Sequence, residues 1–225
     1  MNKATIIILI VIAAAFLSSF IRKVFLDRLS RQLYDAAYIK KDKELFEILI
    51  NSPQAQLTMS DVSRKIMSLN CYVNIDDEKE VLKTAKYLIG KKLNMKEAQT
   101  VYPLTIGYLC EKGNAEVLDI LNDLKKKYAN TKEINMMLLM YDCELTYDIY
   151  IKKDTGRIKD LEELIKTDLN PQNLAVYQYR LAKLYYYDNN KEKAIQLLNA
   201  AKNNTNDKGA VNKIDKILKG NWSLL

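Results

Sequence analysis

The chain has 225 residues, of which 48% are hydrophobic and 28% charged, and its net charge is +7. Six glycines and three prolines are too few for the turns of a many-stranded barrel or sandwich, so the composition favours an all-α fold. The positive excess lies in residues 1–43 and 171–225, whereas the middle of the chain is neutral to acidic. Because this pattern offers no continuous basic stripe, we expect no nucleic acid partner.

The first predicted element is a membrane-spanning helix over residues 4–21, ATIIILIVIAAAFLSSFI, which contains no charged residue. Eighteen helical residues cover roughly 27 Å, close to the thickness of the hydrocarbon core of a bilayer. A cleaved signal peptide is the alternative, since Ala13, Ala14 and Ala15 suit a cleavage site, but the apolar run continues to Ile21. We therefore expect residues 1–21 to form an uncleaved, single-pass anchor in the cell membrane.

The flanks of this apolar segment predict its orientation. Only Lys3 precedes the segment, whereas Arg22, Lys23, Arg28 and Arg31 follow it. The more basic flank of a membrane helix stays in the cytoplasm, where it contacts anionic lipid headgroups. The body of the protein is therefore expected to be cytoplasmic, and the alternative is a body outside the cytoplasm.

The rest of the chain is predicted to form successive pairs of amphipathic helices. An acidic run at residues 76–80 is interpreted as the start of a helix rather than as paired catalytic carboxylates. Residues 207–219 are predicted to form a capping helix, and Trp222 lies in a short tail after it. About five helical hairpins result, formed by residues 23–39 with 43–51, 57–72 with 77–91, and within 96–127, 132–167 and 175–204.

The hairpin at residues 175–204, AVYQYRLAKLYYYDNNKEKAIQLLNAAKNN, has the clearest motif. Its first helix carries Leu181-Ala182-x-x-Tyr185 and its second carries Ala194-x-x-x-Leu198, with an Asp-Asn-Asn turn between them. This pattern resembles the tetratricopeptide (TPR) repeat, which has Leu-Gly-x-x-Tyr and Ala-x-x-x-Phe in these places. Behind the anchor predicted at residues 1–21, the resemblance implies a TPR-like solenoid at residues 22–203 and a capping helix with tail at residues 204–225.

The TPR resemblance also implies a groove lined by the first helices of successive hairpins. In the last hairpin the groove positions would be Tyr179, Lys183 and Tyr186, two rings and a cation that suit an extended or helical peptide, especially an acidic one. Tyr185 is expected inside the hairpin. For Tyr186 the alternative is a structural role, in which its ring only covers neighbouring apolar surface.

No recognisable catalytic or cofactor motif occurs in the sequence, and it contains no histidine. The three cysteines, Cys71, Cys110 and Cys143, form no CxxC pair and are expected to be buried. We therefore expect no enzymatic activity, no metal site and no cofactor.

The predicted function is that of a membrane-anchored scaffold or recruitment factor that binds a protein or peptide. The alternative is an anchored chaperone-like or assembly factor for exported or envelope proteins, with its body outside the cytoplasm.

Overall fold

A computed structural model describes residues 3–167 and 170–225, without the side chains of residues 3–11, 13–16, 18, 21 and 22. The fold is all-α, as predicted, and the described residues form twelve α-helices packed in sequential pairs. These helices are α1 (Lys3–Tyr34), α2 (Lys43–Ile50), α3 (Pro53–Thr58), α4 (Asp61–Asn74), α5 (Glu78–Ile89), α6 (Met95–Lys112), α7 (Val117–Tyr128), α8 (Ile134–Tyr147), α9 (Ile158–Thr167), α10 (Pro171–Tyr187), α11 (Lys191–Asn204) and α12 (Lys208–Leu218).

Local sequence signals account for most of the helix starts. Asp42, Ser52, Ser60 and Asp77 each accept a hydrogen bond from a backbone N–H in the first turn of the helix that follows. The acidic run at residues 76–80 therefore begins α5, as expected. Ser60 also explains one wrong boundary, because the helix predicted from residue 57 is divided there into α3 and α4.

The chain divides into two compact units between Tyr108 and Leu109. In the first unit, α1, α2 and α4 enclose an apolar core around Leu33, Phe46 and Cys71. Asn74 donates a hydrogen bond of 2.6 Å to the carbonyl of Ala37, which fixes the end of α4 against the turn after α1. The second unit has its own core, built mainly by α9, α10, α11 and α12.

The predicted membrane anchor lies largely outside the described side chains. The described part of the chain contains no helix that is both long and apolar enough to cross a bilayer. Helix α1 runs without a break across the boundary predicted after residue 21 and ends at Tyr34, where one π-helical turn, Asp35–Ile39, follows.

Candidate functional site

The predicted groove residues belong to α10, and capping and turn residues mark both ends of this helix. Asn170 accepts a hydrogen bond of 2.9 Å from the backbone N–H of Gln172, and Pro171 takes the first helical position, where a missing N–H costs nothing. Asn189 then adopts a positive φ of 60°, and Asn190 caps α11. The predicted hairpin turn is therefore confirmed.

The interior of this hairpin matches the expected apolar pattern. The small and apolar residues of the motif, Leu181, Ala182, Ala194 and Leu198, are all buried, and so is Ala201 one turn further along α11. Tyr185 is also buried, and its hydroxyl donates a hydrogen bond of 2.6 Å to Glu162 of α9 and accepts one of 3.2 Å from Lys193 of α11. The ring of Tyr185 thus helps to join three helices, as its predicted interior position requires.

The C-terminal tail, residues 220–225, lies across the predicted groove positions. Gly220 ends α12 with a φ of 113°, a conformation that favours glycine, and so turns the chain back. The ring of Trp222 stacks on that of Tyr186, with centroids 5.0 Å apart and planes 9° from parallel. The hydroxyl of Tyr179 donates a hydrogen bond of 3.3 Å to the carbonyl of Leu224.

Lys183 lies beneath the tail rather than on an open groove surface. It is only 8% exposed, and its ammonium is 4.6 Å from the ring centroid of Tyr150 and 5.7 Å from that of Tyr187. Burial, together with the nearby charge of Lys213, lowers the pKa of Lys183 to about 8. A cavity of about 290 Å³ separates Lys183 and Lys213 from the tail. The structure therefore brings Tyr179, Lys183 and Tyr186 together as one surface, and the tail covers it.

A larger cavity of about 410 Å³, which no sequence pattern indicated, adjoins this surface. It opens beside the N-terminal half of α10, where its apolar wall is formed by Ala175, Val176, Tyr179, Ala201, Ala210 and Ile214. Small side chains on three different helices create the space. Alanines are good helix formers wherever they occur, so their presence in the sequence did not distinguish a cavity from close helix packing.

Arg180 fixes α10 against α8 beside this cavity. Its guanidinium pairs with Asp142 at 2.5 Å and donates a hydrogen bond of 2.8 Å to the hydroxyl of Thr146. The guanidinium is largely buried, so this planar, charge-assisted contact holds the position of α10. Arg180, which lines the cavity, thus joins the α10 wall to α8.

The three cysteines are free and buried, as predicted. Burial raises the pKa of the thiol to about 11 for Cys71 and to about 12 for Cys110 and Cys143, so these thiols are protonated near neutral pH. Within residues 3–167 and 170–225, no group of three or more His, Cys, Asp or Glu side chains is arranged to hold a metal ion.

Comparisons of the chain with protein-family models, with curated proteins and with solved structures found no match. The fold is therefore described as an all-helical arrangement of sequential pairs, and the TPR resemblance of residues 175–204 stays a prediction.

Proposed function

We propose that this protein is a membrane-anchored interaction module, a scaffold or recruitment factor that binds a peptide or protein partner on the α10 face. We define the α10 face as the surface formed by Tyr179, Lys183 and Tyr186. The observation that carries the proposal is that a short segment of the chain itself, the tail with its single 3-10 turn at Trp222–Leu224, is seated on this face.

The contacts of the tail are those by which a groove recognises a peptide. Tyr186 provides an aromatic platform for Trp222, Tyr179 donates a hydrogen bond to a backbone carbonyl, and Leu225 is buried. A carbonyl contact is independent of the partner's sequence, whereas stacking and burial select for particular side chains. The α10 face thus combines a general contact with specific ones.

The repeat resemblance supports the same location. The hairpin of α10 and α11 carries the TPR-like pattern at residues 175–204, and the positions flanking its buried Leu181 and Tyr185 are where that resemblance predicts a groove. In a stack of such hairpins, the first helices of successive pairs line one continuous groove.

The anchor part of the proposal rests on α1. Ile12, Leu17 and Phe20, whose side chains are described, are all exposed, and Lys23 and Arg28 follow them on the same helix. A row of large apolar side chains is unfavourable in water, and lipid is the environment that suits it. Insertion of residues 4–21 would place the basic residues at the headgroups on the cytoplasmic side.

Photocrosslinking from native membranes tests the α10 face. A photoreactive amino acid at Val176, which is 48% exposed beside Tyr179, should form one specific adduct that disappears when Tyr179→Ala is added. The same amino acid at Ile195, exposed on α11, is the matched control and should form no such adduct. Equal adducts from both positions, or an adduct that survives Tyr179→Ala, would contradict the proposal.

Topology is tested separately with one added cysteine. Because the native cysteines are buried, Asn203→Cys on the exposed side of α11 supplies the reactive thiol. A membrane-impermeant maleimide should label it only after the cells are permeabilised. Labelling in intact cells would place the body outside the cytoplasm and would favour an assembly factor for exported or envelope proteins.

A further inference from the structure

The cavity of about 290 Å³ under the tail has a wall that is more polar than apolar. Lys112 of α6, Lys183 of α10 and Lys213 of α12 line it, together with one carboxylate, that of Glu111. We call this space the lysine cavity. A water molecule takes about 30 Å³ in the liquid, so the space is larger than a single bridging water needs. Three positive side chains and one negative side chain therefore surround a space that can hold a small ligand.

Lys183 is a buried cation without an anionic partner. It is 8% exposed, and no carboxylate of the described residues forms an ion pair with it, although lysine is almost never fully buried unless it is paired. Glu111, whose charge reaches Lys183, pairs instead with Lys213 at 3.3 Å. The rings of Tyr150 and Tyr187 offset only part of the cost of burial, since the pKa of Lys183 is still lowered to about 8.

The carbonyl end of α6 does not account for the three lysines. Its last carbonyls already accept backbone hydrogen bonds, because the N–H of Gly113 donates to Cys110 at 3.1 Å and that of Asn114 donates to Leu109 at 3.0 Å. The tail residues that line the cavity, 223–225, have no charged side chain. The described side chains therefore leave the lysine cavity with an excess of positive charge.

We infer that the lysine cavity binds a phosphate group, either as inorganic phosphate or as the monoester of a small molecule. Three lysines less one glutamate give an excess of two positive charges, which a phosphate dianion matches. Its oxygens can accept hydrogen bonds from several ammonium groups at once, and the hydroxyl of Tyr150, which also lines the cavity, is a further donor. This site goes beyond the proposed function, because it needs no peptide on the α10 face.

The one tryptophan of the chain, Trp222, directly precedes the tail residues that line the cavity, so its fluorescence reports on this site. Sodium phosphate is added at pH 7 to the full-length protein in a non-ionic detergent, and sodium chloride keeps the ionic strength constant. We expect a saturable change in fluorescence and a parallel rise in the thermal unfolding midpoint. Glycerol 3-phosphate in a second titration distinguishes the two sources, because a monoester that makes contacts of its own binds more tightly than the free ion.

Three variants assign the binding to the lysine cavity. Lys183→Met should weaken phosphate binding at least about tenfold, because it removes a charge-assisted contact at a buried position. Lys216→Met, on the exposed side of α12, is the matched control and should bind like the wild type. Glu111→Gln should tighten binding about two- to fivefold, because it removes the negative charge from the cavity and releases Lys213.

Two results would overturn the phosphate site. The first is the absence of both a saturable fluorescence change and a rise in the unfolding midpoint. The second is binding that Lys183→Met and Lys216→Met weaken equally and that Glu111→Gln does not tighten, since phosphate would then follow the overall charge as an adventitious ion only. Neither result bears on the α10 face as a peptide site, which photocrosslinking at Val176 tests.

Discussion

Helices α8 and α10 belong to the same unit and are both rich in apolar residues, yet they are covered very differently. Helix α10 packs against α9 and α11, and the tail covers a third side. Helix α8 buries one side, which includes Met136, Leu139 and Cys143. Its other side leaves a stripe at helical spacing exposed, formed by Ile134, Met137, Leu138 and Tyr141.

The difference shows that an apolar helix does not by itself reveal which of its sides is covered. On α10 the tail converts an expected open groove into a partly buried surface. On α8 an apolar stripe of similar length is exposed to solvent in the part of the chain that the structure describes. Substitutions that remove equal amounts of apolar surface from the two helices, or from their neighbours, should therefore have very different effects on stability.

The largest expected effect on the free energy of unfolding comes from the core of the hairpin of α10 and α11. Leu198 of α11 is fully buried against α10, so Leu198→Ala should lower the free energy of unfolding by about 2–5 kcal/mol, since it removes contacts and leaves a cavity. Chemical denaturation followed by circular dichroism measures this change. Ile195→Ala, at an exposed position on the same helix, is the control and should have a much smaller effect. Similar losses for both variants would contradict the described packing.

Residues 175–204 were the part of the fold that the sequence predicted best, because several independent signals agree there. The alanine and leucine spacing, the Asp-Asn-Asn turn and the capping asparagine all indicate the same hairpin. At α8 the signals conflict, because residues 134–141 are apolar on both sides, and periodicity cannot distinguish the buried side from the exposed one.

The candidate site was predicted only in part. The TPR resemblance predicted Tyr179, Lys183 and Tyr186 as groove positions, and in the structure all three lie beside the tail. It gave no indication that the tail covers them, because that contact joins residues 36–45 positions apart and depends on the turn at Gly220. Contacts of this kind follow from tertiary packing, which local patterns do not encode.

The second prediction concerns the buried carboxylate just after α8. Asp148 is only 2% exposed, and Arg157 donates hydrogen bonds of 2.9 and 2.5 Å to one of its oxygens, while Lys152 pairs with the other. Replacing Arg157 with Met should cost about 2–3 kcal/mol in stability, because a buried charge loses its main partner. Denaturation at neutral pH measures the loss, and Lys159→Met, an exposed change of the same charge, is the control.

The Asp148 contact also predicts a pH dependence. Burial alone would raise the pKa of Asp148, but the hydrogen bonds from Lys152 and Arg157 outweigh it and hold the pKa below its usual range. The stabilisation is therefore complete above the ordinary pKa of aspartate, near 3.9, and is lost as the pH falls through the lower folded value. The difference between wild type and Arg157→Met should shrink in the same range. A difference that is constant with pH would show that Arg157 acts through packing alone.

The third prediction is a gain in stability rather than a loss, and it concerns Lys183, whose ammonium group lies under the tail. The folded pKa of Lys183 is about 8, below its unfolded value, so the folded state carries the cost of a buried charge at neutral pH. Lys183→Met should therefore stabilise the protein by about 1–2 kcal/mol at pH 7. The gain should diminish as the pH rises from 8 toward 10.5, where the lysine is neutral in both states.

Urea denaturation at pH 7 and pH 10 measures this gain. Lys216→Met on the exposed side of α12 removes the same charge and should change stability little at either pH. A loss of stability in Lys183→Met at pH 7 would show that contacts of the ammonium with the rings of Tyr150 and Tyr187 exceed the cost of its burial.

The smallest effect is expected on the exposed stripe of α8. Leu138 is 60% exposed, so Leu138→Gln removes little buried surface and should change the free energy of unfolding by no more than about 0.5 kcal/mol. The unfolding midpoint should also be independent of protein concentration, because no second chain has to leave the stripe for the helix to unfold. A midpoint that rises with concentration in the wild type, and not in Leu138→Gln, would mean that another copy of the chain covers α8. The contrast with α10 would then lie in which chain provides the cover: the tail of the same chain for α10, and a second chain for α8.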